Sequence, residues 1–282
     1  MNPERIIRVF PRRTSATPDD ALAVVDRLPT TTDQADAVHV SVSWTWDLPR
    51  AEELARAWAS VAPVIIGGPA TGQRSGDFVA GMYVKHGYTI TSRGCPNKCW
   101  FCSVWRREGD VVRELPIADG WKVLDDNLLA CRDDHIRAVF GMLERQKSRP
   151  EFVGGLEAKR LKQWQAEELK RINPESMFFA YDTEDDLEPL QQAGLLLDAA
   201  GFKRTSHTRR CYVLCGWPKD TMEAAEHRMH QTLDAGFYPM AMLWRDREGQ
   251  TDKEWRRFQR VWANPFILFT ESRKYLASKG VA

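Results

Sequence analysis

The sequence has no run of eighteen apolar residues, so it offers no helix of the length that crosses a bilayer. Its opening MNPERIIRVFPRR lacks both a long apolar stretch and a small-residue cleavage site, and no secretory leader is expected. Charge of one sign is missing too. Lys and Arg number 40 against 39 Asp and Glu, and a net charge of +1 favours neither nucleic acid nor an acidic partner. Cysteine is sparse, with six in 282 residues. Without a leader these read as thiols or metal ligands in a reducing compartment, not as a disulfide framework, and the expected location is the cytoplasm. Low-complexity tracts are absent as well.

What is present is ordinary globular material. A hydrophobic fraction of 43% and a charged fraction of 28% suffice for a core that needs no disulfide staple. Eleven tryptophans are many, and either a large core or an aromatic-lined pocket would absorb them.

Hydrophobic periodicity divides the chain. In residues 1–80, Arg5–Phe10, Val38–Trp44 and Val64–Ile66 read as strands, with Asp19–Leu28 and Pro49–Ser60 as amphipathic helices between them. That order predicts a small three-layer αβ unit with a parallel sheet. Ala70–Asp77, rich in Gly and polar residues, reads as a linker. Residues 81–248 carry a strand–helix rhythm that recurs every ~30 residues, the length of one βα unit. Strands are expected near Tyr88–Arg93, Trp121–Leu124, Phe152–Gly155, Met177–Tyr181, Cys211–Leu214 and Tyr238–Leu243. Helices are expected at His135–Glu144, Leu161–Arg171, Leu187–Ala200 and Met222–Ala235. Gly201 and Gly236 stand where two of these helices need a left-handed cap. Six units predict an α/β fold with an open, partial (βα)6 TIM-like barrel. Residues 249–282 read as a charged, aromatic helix at Lys253–Trp262, a break at Asn264-Pro265 and a shorter helix.

The most informative segment is TSRGCPNKCWFC, residues 91–102. Cys95, Cys99 and Cys102 follow a strand in a loop containing Gly, Pro and Asn, where three thiolates can converge on one face of a cluster. A four-iron cluster normally takes four cysteines, so three would leave one iron open to a substrate or cofactor. A tetrahedral zinc site with a distant fourth ligand is the other reading. Against it, no second C-x2-C or H-x3-H pair occurs.

Cys95-x3-Cys99-x-Phe101-Cys102 resembles the signature of the radical S-adenosylmethionine (SAM) superfamily, in which an aromatic residue precedes the third cysteine. The likeness extends over residues 85–245 through the expected barrel. It implies a 4Fe-4S cluster on Cys95, Cys99 and Cys102, SAM on the open iron, and Phe101 beside the adenine. It also implies a small external electron donor of flavodoxin or ferredoxin type.

Further site residues follow at the strand ends, where βα barrels keep their active sites. Asp125-Asp126-Asn127 replaces the Gly-Gly-Glu turn common in the family, so only a polar SAM contact from Asp126 or Asn127 is carried over; both are also good helix caps. Glu157 and Lys159, two apart at the end of the third strand, point the same way and are candidates for the ribose or carboxylate of SAM, or for an exposed ion pair on a helix start. At the fourth strand Tyr181 and Asp182 stand where the family places a polar SAM contact; Asp182 is alternatively a helix cap. Gly216, past the fifth strand, would allow close backbone approach to adenine. Cys131, Cys211 and Cys215 read as buried thiols. His227 and His230 read as solvent-facing, and the basic run Lys203–Arg210 as solvated surface or a phosphate contact.

The N-terminal unit, with its VIIGGP segment, faintly resembles the cobalamin-binding domain of one radical SAM subgroup. Its usual Asp-x-His-x-x-Gly segment is missing, so a cofactor-free remnant is expected, with cobalamin bound without that histidine as the alternative. The function these residues imply is reductive cleavage of SAM to a 5′-deoxyadenosyl radical that takes hydrogen from a substrate the sequence does not identify. A radical SAM methyl or methylthio transferase and a zinc-stabilised nucleic-acid-binding protein are the alternatives. No catalytic residue for the substrate is assigned.

Overall fold

Valine and isoleucine at alternate positions build the first sheet. In β1 (Ile6–Phe10) and β3 (Ala37–Ser41), Ile7, Val9, Val38 and Val40 are buried. They pack with Ala51, Leu54 and Trp58 of α1 (Leu48–Trp58). Each such side chain, fully buried, contributes roughly 1.5–3 kcal/mol relative to exposure. The computed structural model describes residues 4–280 and divides into two compact units, one ending at Gly120 and the other beginning at Trp121.

In the first unit, β2 (Ala23–Val25) and β4 (Val64–Gly67) complete a four-stranded parallel sheet of order β2-β1-β3-β4. The helix expected over Asp19–Leu28 does not form. The Asp20 carboxylate accepts the Leu22 N–H (2.9 Å), and Asp20 also pairs with Arg8, which turns the chain. The Val24-Val25 pair then runs as an edge strand, as β-branched residues prefer. Asp26 follows at φ 46°, left of where a helix could continue. Within residues 4–80 α1 is the one α-helix, so the sheet is covered by a single helix rather than layered on both faces.

The expected strand Tyr88–Arg93 is broken into β5 (Tyr88–Thr89) and β6 (Ser92–Arg93). β6 pairs antiparallel with β7 (Arg113–Glu114), so the segment between them closes into a loop that contains the short helix α2 (Val104–Arg107).

The second unit holds five strands, β8 (Lys122–Val123), β9 (Glu151–Phe152), β10 (Ser176–Tyr181), β11 (Arg209–Cys215) and β12 (Tyr238–Leu243). They lie side by side in chain order, all parallel. Between them run α3 (Asp133–Glu144), α4 (Gln163–Ile172), α5 (Leu187–Ala199) and α6 (Met222–Asp234). The fold is thus α/β with parallel sheets, and no closed barrel forms. Phe179 of β10 meets Phe237 after α6 edge-on (5.1 Å), and Phe140 of α3 meets Phe152 of β9 (6.1 Å), knitting sheet to helices.

Both predicted glycine caps form. Gly201 (φ 88°) and Gly236 (φ 84°) end α5 and α6, with Phe202 N–H on Leu197 O (2.9 Å) and Phe237 N–H on Thr232 O (3.0 Å). This is the Schellman arrangement, in which an apolar residue follows the left-handed glycine. The tail forms α7 (Lys253–Ala263) and α8 (Pro265–Ser278); the second helix is the longer, not the shorter as expected, because Asn264 caps it with bonds from Phe266 and Ile267 N–H. His230, expected to face solvent, stacks on Tyr275 of α8 (4.0 Å). Arg209 likewise leaves the surface expected of its basic run. Its guanidinium is fully buried on Asp198 (2.5 Å) and the Gly194 carbonyl (3.1 Å), beneath Phe237.

No helix among the described residues is long and apolar enough to cross a membrane.

Candidate functional site

The cysteine loop is fixed at both ends. Gly94 holds φ 92° so close to Val111 that a Cβ would stand 2.6 Å from its carbonyl oxygen, and the next residue, Cys95, donates its N–H to Gly109 O (3.3 Å). Inside the loop Cys102 N–H bonds Cys99 O (3.2 Å), a tight turn that Trp105 Nε1–H reinforces from the start of α2 (3.1 Å). Phe101 meets Trp100 edge-on (5.4 Å), and half of Trp100 is exposed.

Glu108 locks the base of this loop. Its side chain is fully buried, receives Ser75 Oγ–H and the Ser75 N–H, and pairs with Arg107 (2.9 Å). Burial opposes its ionisation, but the bonds from Ser75 and Arg107 outweigh that and hold its carboxyl below the usual range. Arg113 donates to the Ser75 carbonyl (2.9 Å). Ala70–Asp77, read as a linker, is therefore anchored to the cysteine loop.

Cys95, Cys99 and Cys102 are each half-exposed, while Cys131, Cys211 and Cys215 are buried. Burial pushes the Cys215 thiol up to about 12 and the Cys211 thiol well above its ordinary value. The six thus separate into three partly exposed thiols on one loop and three in the core. Among the described residues no three His, Cys, Asp or Glu side chains converge as the ligands of a single metal ion do. A cubane takes one thiolate per iron and spaces its ligands more widely, and three accessible thiols on one anchored loop fit that donor set.

In the second unit the sequence-derived residues gather at the carboxyl ends of the strands. Asn127 caps no helix with its side chain. Its Nδ2 donates instead to Glu157 Oε2 (2.6 Å), joining the ends of β8 and β9. Asp126, one residue before it, is half-buried. Glu157 lies past the end of its strand, as expected, because β9 stops at Phe152 and the chain turns at Gly154-Gly155. A Cβ on Gly154 would meet the Asp125 carbonyl oxygen at 2.2 Å, so only glycine passes there. Lys159 and Arg160 both pair with Glu157, at 3.1 and 2.6 Å. The ion-pair reading thus holds for Lys159, with a carboxylate that is mostly enclosed.

Asp182 caps no helix either; Thr183 and Asp186 form the capping box there. Its Oδ1 accepts the Leu214 N–H (3.1 Å), tying β10 to β11. Burial, and then the neighbouring Asp186, push the Asp182 carboxyl up to about 7. Tyr181 faces the other way, its hydroxyl donating to Gln231 of α6 (2.8 Å). Gly216 donates its N–H to Asp220 (2.8 Å), and Asp220 also binds Arg228 (2.7 Å). The space a Cβ would take at Gly216 is bordered by Leu243 (2.6 Å) and by Trp255 of α7 (3.1 Å).

One feature escaped the sequence reading. On the sheet face opposite α5 and α6, Phe178 of β10 stacks on Tyr212 of β11 (4.3 Å, 11°), and Arg210 lies over Phe178 (5.6 Å). Period-two alternation marks these residues as sharing a face, but only the β10–β11 register brings them together.

The geometry is that of a parallel α/β protein with polar residues at its strand ends and an accessible thiol loop. No protein-family model matches the chain, and no curated protein matches it by sequence. Solved structures do match. One is the radical SAM methyltransferase TsrM from Kitasatospora setae, solved with cobalamin and a 4Fe-4S cluster bound, at a TM-score of 0.59 and 12% identity over 84% of this chain and 74% of that one. At that identity the likeness is one of fold.

Proposed function

We propose that the protein is a radical SAM enzyme, with a 4Fe-4S cluster on Cys95, Cys99 and Cys102. The observation that carries this is the trio of accessible thiols in C-x3-C-x2-C spacing, held on an anchored loop in a chain that shares its fold with a radical SAM methyltransferase. When bound, the cluster supplies the electron that splits SAM into methionine and a 5′-deoxyadenosyl radical.

The chain's own residues bind and orient. Phe101 offers an aromatic edge for the adenine. Asn127, fixed by Glu157, and Asp126 offer polar contacts at the end of β8. Asp182, protonated to a substantial degree at neutral pH, can donate as well as accept a hydrogen bond to a ribose or carboxylate oxygen. Lys159 is held over Glu157, Tyr181 sets the β10 end against α6, and Gly216 keeps the β11 turn tight against α7. The stacked Phe178–Tyr212 face offers an aromatic wall that excludes water. A flavodoxin- or ferredoxin-like protein is the fitting electron donor, and the cytoplasm the fitting location.

A second reading, methyl transfer, is favoured by the structural neighbour, which is a methyltransferase with cobalamin bound. The four-stranded parallel sheet of the first unit is where a cobalamin would be sought.

The test uses anaerobically reconstituted protein. We expect about four irons per chain and 5′-deoxyadenosine on adding SAM and dithionite, both lost in Cys99→Ala. S-adenosylhomocysteine in place of 5′-deoxyadenosine, together with cobalamin retained on gel filtration, would select methyl transfer. One zinc per chain with no SAM cleavage would defeat both in favour of a zinc-stabilised binding protein.

A further inference from the structure

The carboxyl ends of β11 and β12 and the start of α7 surround an open cavity of about 450 Å³, within the ~300–1,000 Å³ span of small-molecule sites. Three indoles line it, from Trp217, Trp244 and Trp255, together with the carboxylates of Asp220, Asp246 and Asp252. None of its lining residues is a lysine or arginine.

The carboxylates differ. Asp220 is neutralised by Arg228 (2.7 Å). Asp246 and Asp252 each give one oxygen to a backbone N–H of their own turn, from Gln250 (2.7 Å) and Glu254 (2.6 Å), and such bonds leave the negative charge in place. Lys253 and Arg256 stand next to this rim on α7 without lining the cavity. The walls are fixed by the sheet: Trp244 N–H extends the β11–β12 ladder to Cys215 O (2.8 Å), and Trp255 closes on Gly216, where no side chain fits. One indole already accepts a cation, since the Arg228 guanidinium lies over Trp217 at 4.5 Å.

We infer that this cavity binds a small organic cation, a quaternary ammonium or a protonated amine, between the Trp244 and Trp255 indoles with Asp246 and Asp252 as counter-charges. Indole faces attract a desolvated cation through their quadrupole, and two carboxylates on the cavity wall disfavour an anion at the same place. A neutral apolar ligand would gain the indoles but leave the carboxylates stripped of water. The inference is independent of the cluster, so it stands or falls apart from the radical reading.

The experiment is a calorimetric titration of the whole purified protein with choline and with its neutral isostere 3,3-dimethyl-1-butanol. Choline should bind, with the isostere weaker by about tenfold or more. Trp244→Ala and Asp246→Asn should each weaken choline by roughly three- to thirtyfold with an unchanged circular dichroism spectrum. Equal binding of the isostere, absence of choline binding, or variants that bind like wild type would each overturn the inference. SAM, itself a sulfonium, provides the last arm. If it displaces choline from cluster-reconstituted protein but no longer from Cys99→Ala protein, the cavity belongs to the cofactor and the inference fails.

Discussion

Asp182 carries a carboxyl far above its ordinary range, and it makes the fold sensitive to pH. Its carboxyl is pushed up to about 7, so the folded state holds a proton that the unfolded chain releases near pH 4. Stability from this group is therefore full below about pH 4 and is lost as pH rises to about 7, at no more than about 1.4 kcal/mol per pH unit. Asp182→Asn keeps an oxygen for the Leu214 N–H and removes the titration. Urea midpoints measured from pH 4 to 8 should fall for wild type and stay flatter for the variant; parallel curves would remove Asp182 as the cause. The sequence gives away the position of such residues but not their partners. Asp182 and Asn127 could be placed at strand ends by counting. That they bond to Leu214 and Glu157 depends on which strands lie side by side and where each stops, and residue spacing within one segment cannot carry that. The same holds for Arg209, whose neighbours in sequence are basic and exposed while its neighbours in space are Asp198 and Gly194.

At the scale of elements, the signals that read correctly were those with a local cause. A left-handed glycine ends α5 and α6 because the helix itself creates the need, and the following Phe is its apolar companion. Gly236→Ala should lower stability by about 1–2 kcal/mol in denaturant titration, the cost of forcing an L-residue into that conformation. The loss should be aggravated by Arg209, whose guanidinium would lie 3.0 Å from the new Cβ. Gly236→Asn, which tolerates the left-handed region better, should lose less; an Ala variant as stable as wild type would mean the cap does not matter. The misread element, Asp19–Leu28, failed for the opposite reason. Its apolar residues suit either period over so short a length, and the choice is made by β1, which offers an open edge for Val24 to pair beside. The strands β8 and β9 came out shorter than expected because Gly154 must pass flush against the Asp125 backbone, a close approach that no single segment announces.

For the whole molecule, the three cysteines proposed to hold a cluster belong entirely to the unit that ends at Gly120. A group bound there stabilises what it touches, by mass action on the folded form. Reconstitution should therefore slow amide exchange in residues 92–114 and leave the β10–β12 amides unchanged. Uniform slowing across the chain would instead indicate that the two units open as one. The division among the six thiols has a practical side. Cys131, Cys211 and Cys215 are buried, and the last two stay protonated at any working pH, so an alkylating reagent reaches them far less readily than the loop thiols. The other three share one short loop at the surface. A protein prepared in air would thus carry its oxidative damage at a single address, as disulfides or sulfenic acids among Cys95, Cys99 and Cys102. A mild reductant would restore it there, while the scaffold beneath remained intact.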